Sequence, residues 1–293
     1  MQDQKNETLT SDIRGPSHCC VSGTEHDRGV PEIDLLSPLS IGGLQLRNRI
    51  VMSPMCQYSA EEGMANGWHL VQLGSRAAGG VSLVMVEATA VTPDGRISPG
   101  DLGIWTDAHA EPLARIARFI RFQGAAAGIR LAHAGRKASH DLPWHGGAAL
   151  KPGQGGSNVI APSSIPFDDA DPPPVALDEA GILCRRLKDV GVDLIDVSSG
   201  GMTPKARIPV GKGYQVPFAR RIRAEAGLKT GAVGLVTEPS QANEIITGGD
   251  ADLVFLAQEL LREPYWALNA QTELGGEPLW PIQYGYAVKR RSK

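Results

Sequence analysis

The chain has 293 residues, a formal net charge of -3 and 42% hydrophobic residues. This slightly acidic balance gives no electrostatic basis for nucleic acid or a membrane surface as a partner. The most continuous apolar run, Val81 to Val91, is far short of the ~20 residues that a membrane span needs.

Residues 1–32 hold no apolar core segment, which argues against a secretory leader and predicts a disordered arm. The four cysteines show neither a disulfide framework nor zinc-ligand spacing, so no metal site is expected. Their usage suits a reducing, cytoplasmic compartment. Gly at 35 and Pro at 21 fall between periodic segments and read as turns between many elements.

Residues 33–293 read as one domain. Arg49 to Ser53 predicts a first strand. Leu70 to Gly79 predicts a helix stopped by Gly79-Gly80. Ser82 to Glu87 predicts a second strand, Glu111 to Gln123 a helix, and Gly128 to His133 a third strand. Ser139 to Pro174 is rich in Gly, Pro, Asp and Ser and reads as a long surface loop. Beyond it come a helix over Leu177–Val190, a strand over Asp193–Ser198 and a helix over Pro217–Ala226 with proline at its start. Thr230–Gly234 predicts a fifth strand, Ser240–Thr247 a helix, Asp252–Leu256 a sixth strand and Glu259–Gln271 a final helix.

Alternating strands and helices with apolar strands imply a parallel sheet with helices outside. Periodicity leaves a (β/α) barrel and a doubly wound sheet both open. No Gly-x-Gly-x-x-Gly opens a helix, so the dinucleotide form of the doubly wound sheet has no support. Six strands are countable, two fewer than an eight-fold barrel needs.

Five segments carry a resemblance. They are Leu46-Arg47-Asn48-Arg49-Ile50-Val51-Met52-Ser53-Pro54-Met55-Cys56-Gln57-Tyr58-Ser59, Val86-Glu87-Ala88-Thr89-Ala90-Val91, Leu131-Ala132-His133-Ala134-Gly135-Arg136-Lys137, Val192 to Gly201, and Glu259-Leu260-Leu261-Arg262-Glu263-Pro264. In this order they resemble the old yellow enzymes, the thermophilic-like subgroup in particular, over about residues 33 to 285. The resemblance implies an α/β fold of the TIM-type (β/α) barrel, truncated here to about six strands, with FMN across its mouth. It also implies NADPH or NADH as reductant and a small α,β-unsaturated carbonyl as acceptor, and it allows for a homo-oligomer.

The same resemblance implies the site. Ser53, Pro54, Met55 and Cys56 match the strand end and loop beside the flavin, where the Cys56 thiol can tune the ring. Tyr58 matches a substrate-pocket tyrosine, so Tyr58 and Cys56 are the candidate catalytic residues. Ala88 matches a small residue that lets the ring pack closely. Ser199, Gly200 and Gly234 match backbone positions near the FMN phosphate. His133 reads as structural and Lys137 as solvated.

The family's His-x-x-His-x-Tyr-like strand, whose histidines grip the substrate carbonyl, has no counterpart, nor does the later strand that gives an arginine to the flavin. The join falls near Ile182–Leu183, so the fourth and fifth strands are expected to be missing. Arg130 stands where the family usually has a glutamine on the flavin ring. Gln258 stands where it has an arginine on the phosphate. Two readings follow: an FMN-dependent NAD(P)H oxidoreductase (NADPH dehydrogenase or ene-reductase), or a non-catalytic family remnant.

Overall fold

The computed structural model describes residues 33–161, 166–169, 171, 175–176, 193–198 and 210–288. The expected arm, the helix over 177–190 and the join at 182–183 lie outside the described residues. A hairpin opens the described chain, β1 (Leu39–Ile41) and β2 (Leu44–Leu46), with Leu39 opposite Leu46. Its two-residue turn is Gly42-Gly43, with Gly42 at φ +53. That is the left-handed conformation such a turn requires and glycine adopts without a Cβ clash. A Gly-Gly pair between two triplets that alternate apolar, polar and apolar residues is a sequence signal for this hairpin that the strand reading passed over.

The barrel strands follow in order. β3 (Ile50–Met52) leads to α1 (Gly67–Ala78), β4 (Leu83–Ala90), a short β5 (Leu102–Gly103), α2 (Asp107–Phe122) and β6 (Ala126–Ala132). β7 (Ile160–Ala161), inside the expected loop, and β8 (Val175–Ala176), just past its end, pair as a two-stranded parallel ladder. Next come β9 (Leu194–Val197), α3 (Val216–Ala226), β10 (Lys229–Ala232), α4 (Pro239–Thr247) and β11 (Leu253–Leu256). The helix expected over 259–271 is two helices, α5 (Gln258–Arg262) and α6 (Trp266–Glu273). Pro264 causes the break, because it lacks the amide proton and its ring disfavours helix for the residue before it. A short α7 (Gly285–Val288) closes the described residues.

The main sheet is parallel, in the order β6-β4-β3-β11-β10-β9, with β5 also on β4. In a closed barrel neighbouring strands follow chain order and the last pairs with the first. Here β11 does pair with β3, Val254 against Ile50. β6 and β9 instead form two edges: among the described residues, β6 pairs with β4 and β9 with β10. This is a curled, unclosed barrel whose gap falls where the sequence places the missing fourth and fifth strands. On the β6 edge Leu131 is 60% exposed, the arrangement that invites strand pairing with another chain.

Two apolar clusters show which way each strand residue faces. The larger joins Ile50, Met52, Val84, Val86 and Val254 to Leu73, Ile116, Ile120 and Ile245 of the helices, so these strand positions point outward. The smaller joins Val51, Leu83, Leu253 and Phe255 to Leu39 and Leu46 of the hairpin, so these point into the curve and the hairpin plugs its floor. Each fully buried side chain of this size stabilises the fold by roughly 1.5–3 kcal/mol.

Candidate active site

Barrel enzymes carry their chemistry at the carboxyl ends of the strands. Ser53 follows the last residue of β3 and is buried, and its Oγ has no hydrogen-bond partner. A buried hydroxyl without a partner is costly and points to a ligand that completes it. Pro54, Met55 and Cys56 follow and are half-buried. Two neighbouring elements hold this loop. The Gln57 amide donates to Glu87 Oε2 at 2.6 Å, and Glu87, buried on β4, has its other oxygen 3.4 Å from His69 Nε2. That separation is an electrostatic contact, since Nε2 forms no aligned hydrogen bond.

His69 is fixed in turn by the start of α1. Asn66 Oδ1 accepts from the Trp68 amide at 3.0 Å, and His69 Nδ1 accepts from the Asn66 amide at 3.1 Å, forming a capping box. Sequence reasoning missed Glu87 and His69 as positioning residues. The available signal was a lone charge within an apolar strand.

Burial pushes the Cys56 thiol up to about 11, with Glu87 and Asp101 adding to the effect while Ala88 and Arg130 oppose it. Burial also pushes the Tyr58 hydroxyl up to about 12, and Cys56 contributes both charge repulsion and a side-chain hydrogen bond. Both groups are therefore neutral donors at physiological pH. Tyr58 sits at φ +50, which is uncommon for a residue with a side chain. Its ring lies edge-on to Trp144 at 6.1 Å.

The thiolate is the nucleophile toward alkylating agents, and its population falls tenfold per unit. Peptide-resolved iodoacetamide labelling of the folded protein at pH 7.5 is expected to modify Cys56 roughly a hundredfold more slowly than an ordinary thiol. Labelling at the ordinary rate would refute the burial argument.

Ala88 is buried on β4, opposite Arg130 of β6. Arg130 is exposed toward the unclosed side. Gly234 follows β10 at φ +118, and a Cβ built there would stand 3.0 Å from the Tyr214 ring, so only glycine leaves this cradle open. Over the ends of β10 and β11 lies a cavity of about 230 Å3, whose walls include Gly234, Tyr214, Gln258 and Glu259. No cation is among the described residues that line it. Gln258 Oε1 accepts from Arg262 at 3.4 Å, and Arg262 also pairs with Glu259. Ser199 and Gly200 lie outside the described residues.

Asp196 of β9, which sequence reasoning did not single out as a site residue, is pushed up to about 6 by burial, against an opposing pull from Arg130. The side chain is exposed on the open side of the sheet, so water offsets part of this effect. The folded protein holds this proton more tightly than the unfolded chain does, so charging Asp196 costs stability as pH rises from about 4 to about 6. Asp196→Asn is therefore expected to raise the urea midpoint above pH 6 and to leave it unchanged near pH 4. A gain independent of pH would refute the assignment.

The described histidines are all engaged elsewhere. His109 bonds Thr106 Oγ1 at 2.7 Å, and His133 Nδ1 accepts from the Gly135 amide. His140 donates to backbone carbonyls, lies 3.2 Å from Asp171 Oδ2 and packs edge-on to Phe167. His145 faces Asp141 at 3.4 Å. Lys137, expected as a solvated charge, lies over the Phe167 ring at 5.2 Å.

A parallel sheet whose first and last barrel strands pair, with an unsatisfied buried hydroxyl just past the first and a cavity over the ends of the last two, defines the frame of a (β/α)-barrel enzyme. The model of the NADH:flavin oxidoreductase / NADH oxidase family matches residues 34–163. The NADPH dehydrogenase of Geobacillus thermodenitrificans is 37% identical over 346 aligned positions, covering 85% of this chain and 97% of that protein.

The chain belongs to this family, and its function is that of an FMN-dependent NAD(P)H oxidoreductase. Eighty-five per cent of 293 residues is about 249, so close to a hundred aligned positions have no counterpart here. Because almost the whole relative is covered, that gap is internal.

Solved structures agree on the fold. A 2-naphthoyl-CoA reductase complex superposes with TM-score 0.68 at 15% identity, covering 83% of this chain and about half (52%) of that longer one. The old yellow enzyme from Trypanosoma cruzi superposes with TM-score 0.58 at 17% identity, covering 87% of this chain and 95% of that one.

Proposed function

We propose that this chain oxidises NAD(P)H with FMN seated at the mouth of the unclosed barrel, within a single domain spanning residues 33–293. The observation that carries this reading is the buried Ser53 hydroxyl just past β3, which has no hydrogen-bond partner. Bound FMN supplies two-electron chemistry between the nicotinamide and an acceptor, which the resemblance makes a small α,β-unsaturated carbonyl.

Ser53, Pro54, Met55, Cys56 and Ala88 form the ring's bed. The Cys56 thiol, kept protonated by burial, offers it a weak donor. Arg130 stands at its polar edge, and Tyr58 offers a neutral hydroxyl to the acceptor. Gly234, Gln258, Ser199 and Gly200 take the phosphate end. Glu87 and His69 hold the Cys56 loop in place from outside the sheet.

No helix among the described residues is long and apolar enough to cross a membrane. A reducing cytoplasmic setting fits the cysteine usage, and the exposed β6 edge favours self-association. No observation favours the non-catalytic reading.

Titration of the purified full-length protein with FMN, followed by flavin fluorescence, is expected to saturate. Anaerobic NADPH is then expected to bleach the bound flavin. The absence of quenching at any accessible concentration would sink the proposal.

A further inference from the structure

We propose that Arg130 is the cation that stabilises the negative charge FMN gains on two-electron reduction, with Asp196 on the facing strand opposing and tuning that charge. The proposal rests on FMN binding at this mouth. The geometry starts from the alternation of side chains along a strand. On β6, Ala126 packs with the inner cluster and Ala127 with the outer one. Gly128 lies against Met85, itself on the inner cluster. Arg130 is the next inward position.

On β9, Leu194 packs with the inner cluster and Ile195 with the outer one, so Asp196 also points inward. The two edges of the unclosed sheet therefore present a cation and an anion to the same space. Their fields meet there: Arg130 opposes the upward effect of burial on both Asp196 and the Cys56 thiol. Among the described residues Arg130 donates no hydrogen bond, so its five N–H groups are free for an acceptor-bearing ligand.

The register puts Arg130 directly opposite Ala88, at the level of the small residues that form the ring's bed. A guanidinium at the edge of an apolar bed interacts weakly with a neutral oxidised ring. It interacts strongly with one that carries charge, because a hydrogen bond from a charged group is worth about twice a neutral one. Reduction is thereby favoured, and the electrons that accomplish it come from NAD(P)H.

The test is the midpoint potential of the FMN-loaded full-length protein, measured anaerobically against a reference dye at pH 7.5, together with FMN affinity. Arg130→Gln is expected to weaken binding of reduced FMN about tenfold more than binding of oxidised FMN. That ratio lowers the two-electron midpoint by about 30 mV. Arg130→Lys should retain most of the wild-type value, and Asp196→Asn should move the midpoint in the opposite direction.

Binding of FMN with an unchanged midpoint in Arg130→Gln would overturn the proposal while leaving the cofactor assignment intact. So would a shift of both variants in the same direction. Failure of the wild-type protein to bind FMN would overturn both. The Arg130 side chain is exposed, so substitution there removes no packed core atoms.

Discussion

Pre-reduced, FMN-loaded protein mixed anaerobically with 2-cyclohexenone is expected to reoxidise at least about a thousandfold more slowly than intact members of the family. The reason is electrostatic. As hydride reaches the β-carbon, negative charge develops on the enone oxygen, and donors aimed at that oxygen are worth about 10²–10³ each in rate. The resemblance places two histidines in that role, on a strand within the internal gap.

Of the described histidines, none replaces them. His69 is committed to Asn66 and Glu87, His109 to Thr106, His133 to Gly135 and His140 to Asp171. His145, more exposed, faces Asp141. Tyr58 remains as a neutral hydroxyl, a single donor where the family fields three groups. NADPH-driven bleaching develops no charge on an enone oxygen and is expected to be affected less, so the two half-reactions should separate. Reoxidation at the rate of an intact relative would show that another donor has taken the histidines' place.

The second large effect concerns the phosphate. Gln258→Arg is expected to tighten FMN binding about tenfold to a hundredfold, since hydrogen bonds to charged groups contribute roughly 1.5–3 kcal/mol each. Gln258 lies in the wall of the 230 Å3 cavity, whose described lining holds Glu259 and no cation. Barrel enzymes often bind phosphate in the loops after their last two strands, here β10 and β11. Riboflavin, which lacks the phosphate, provides the control. Its affinity should be the same for the variant and the wild type. Equal tightening of FMN and riboflavin would locate the effect in general packing and refute the phosphate assignment.

The sequence by itself determined the chain order of the six barrel strands β3, β4, β6, β9, β10 and β11, and placed the expected gap between the third and fourth of them. Each follows from local information: apolar runs of strand length, glycine or proline punctuation, and motifs that keep the family's order with one interval missing. The motifs shared with the family also singled out Ser53 to Cys56, Ala88 and Gly234 as expected site positions.

Only the tertiary structure decided what the missing strands do to the sheet. Pairing β11 with β3 joins strands about two hundred residues apart, and no local pattern encodes that contact or the edges left at β6 and β9. The same holds for the electrostatics. Arg130 and Asp196 are ordinary charges in the sequence. Arg130 reaches Asp196 with its field because each falls on an inward position of a different edge strand. Glu87 and His69 meet for a similar reason: a helix cap fixes one, a strand fixes the other, and burial brings them to 3.4 Å.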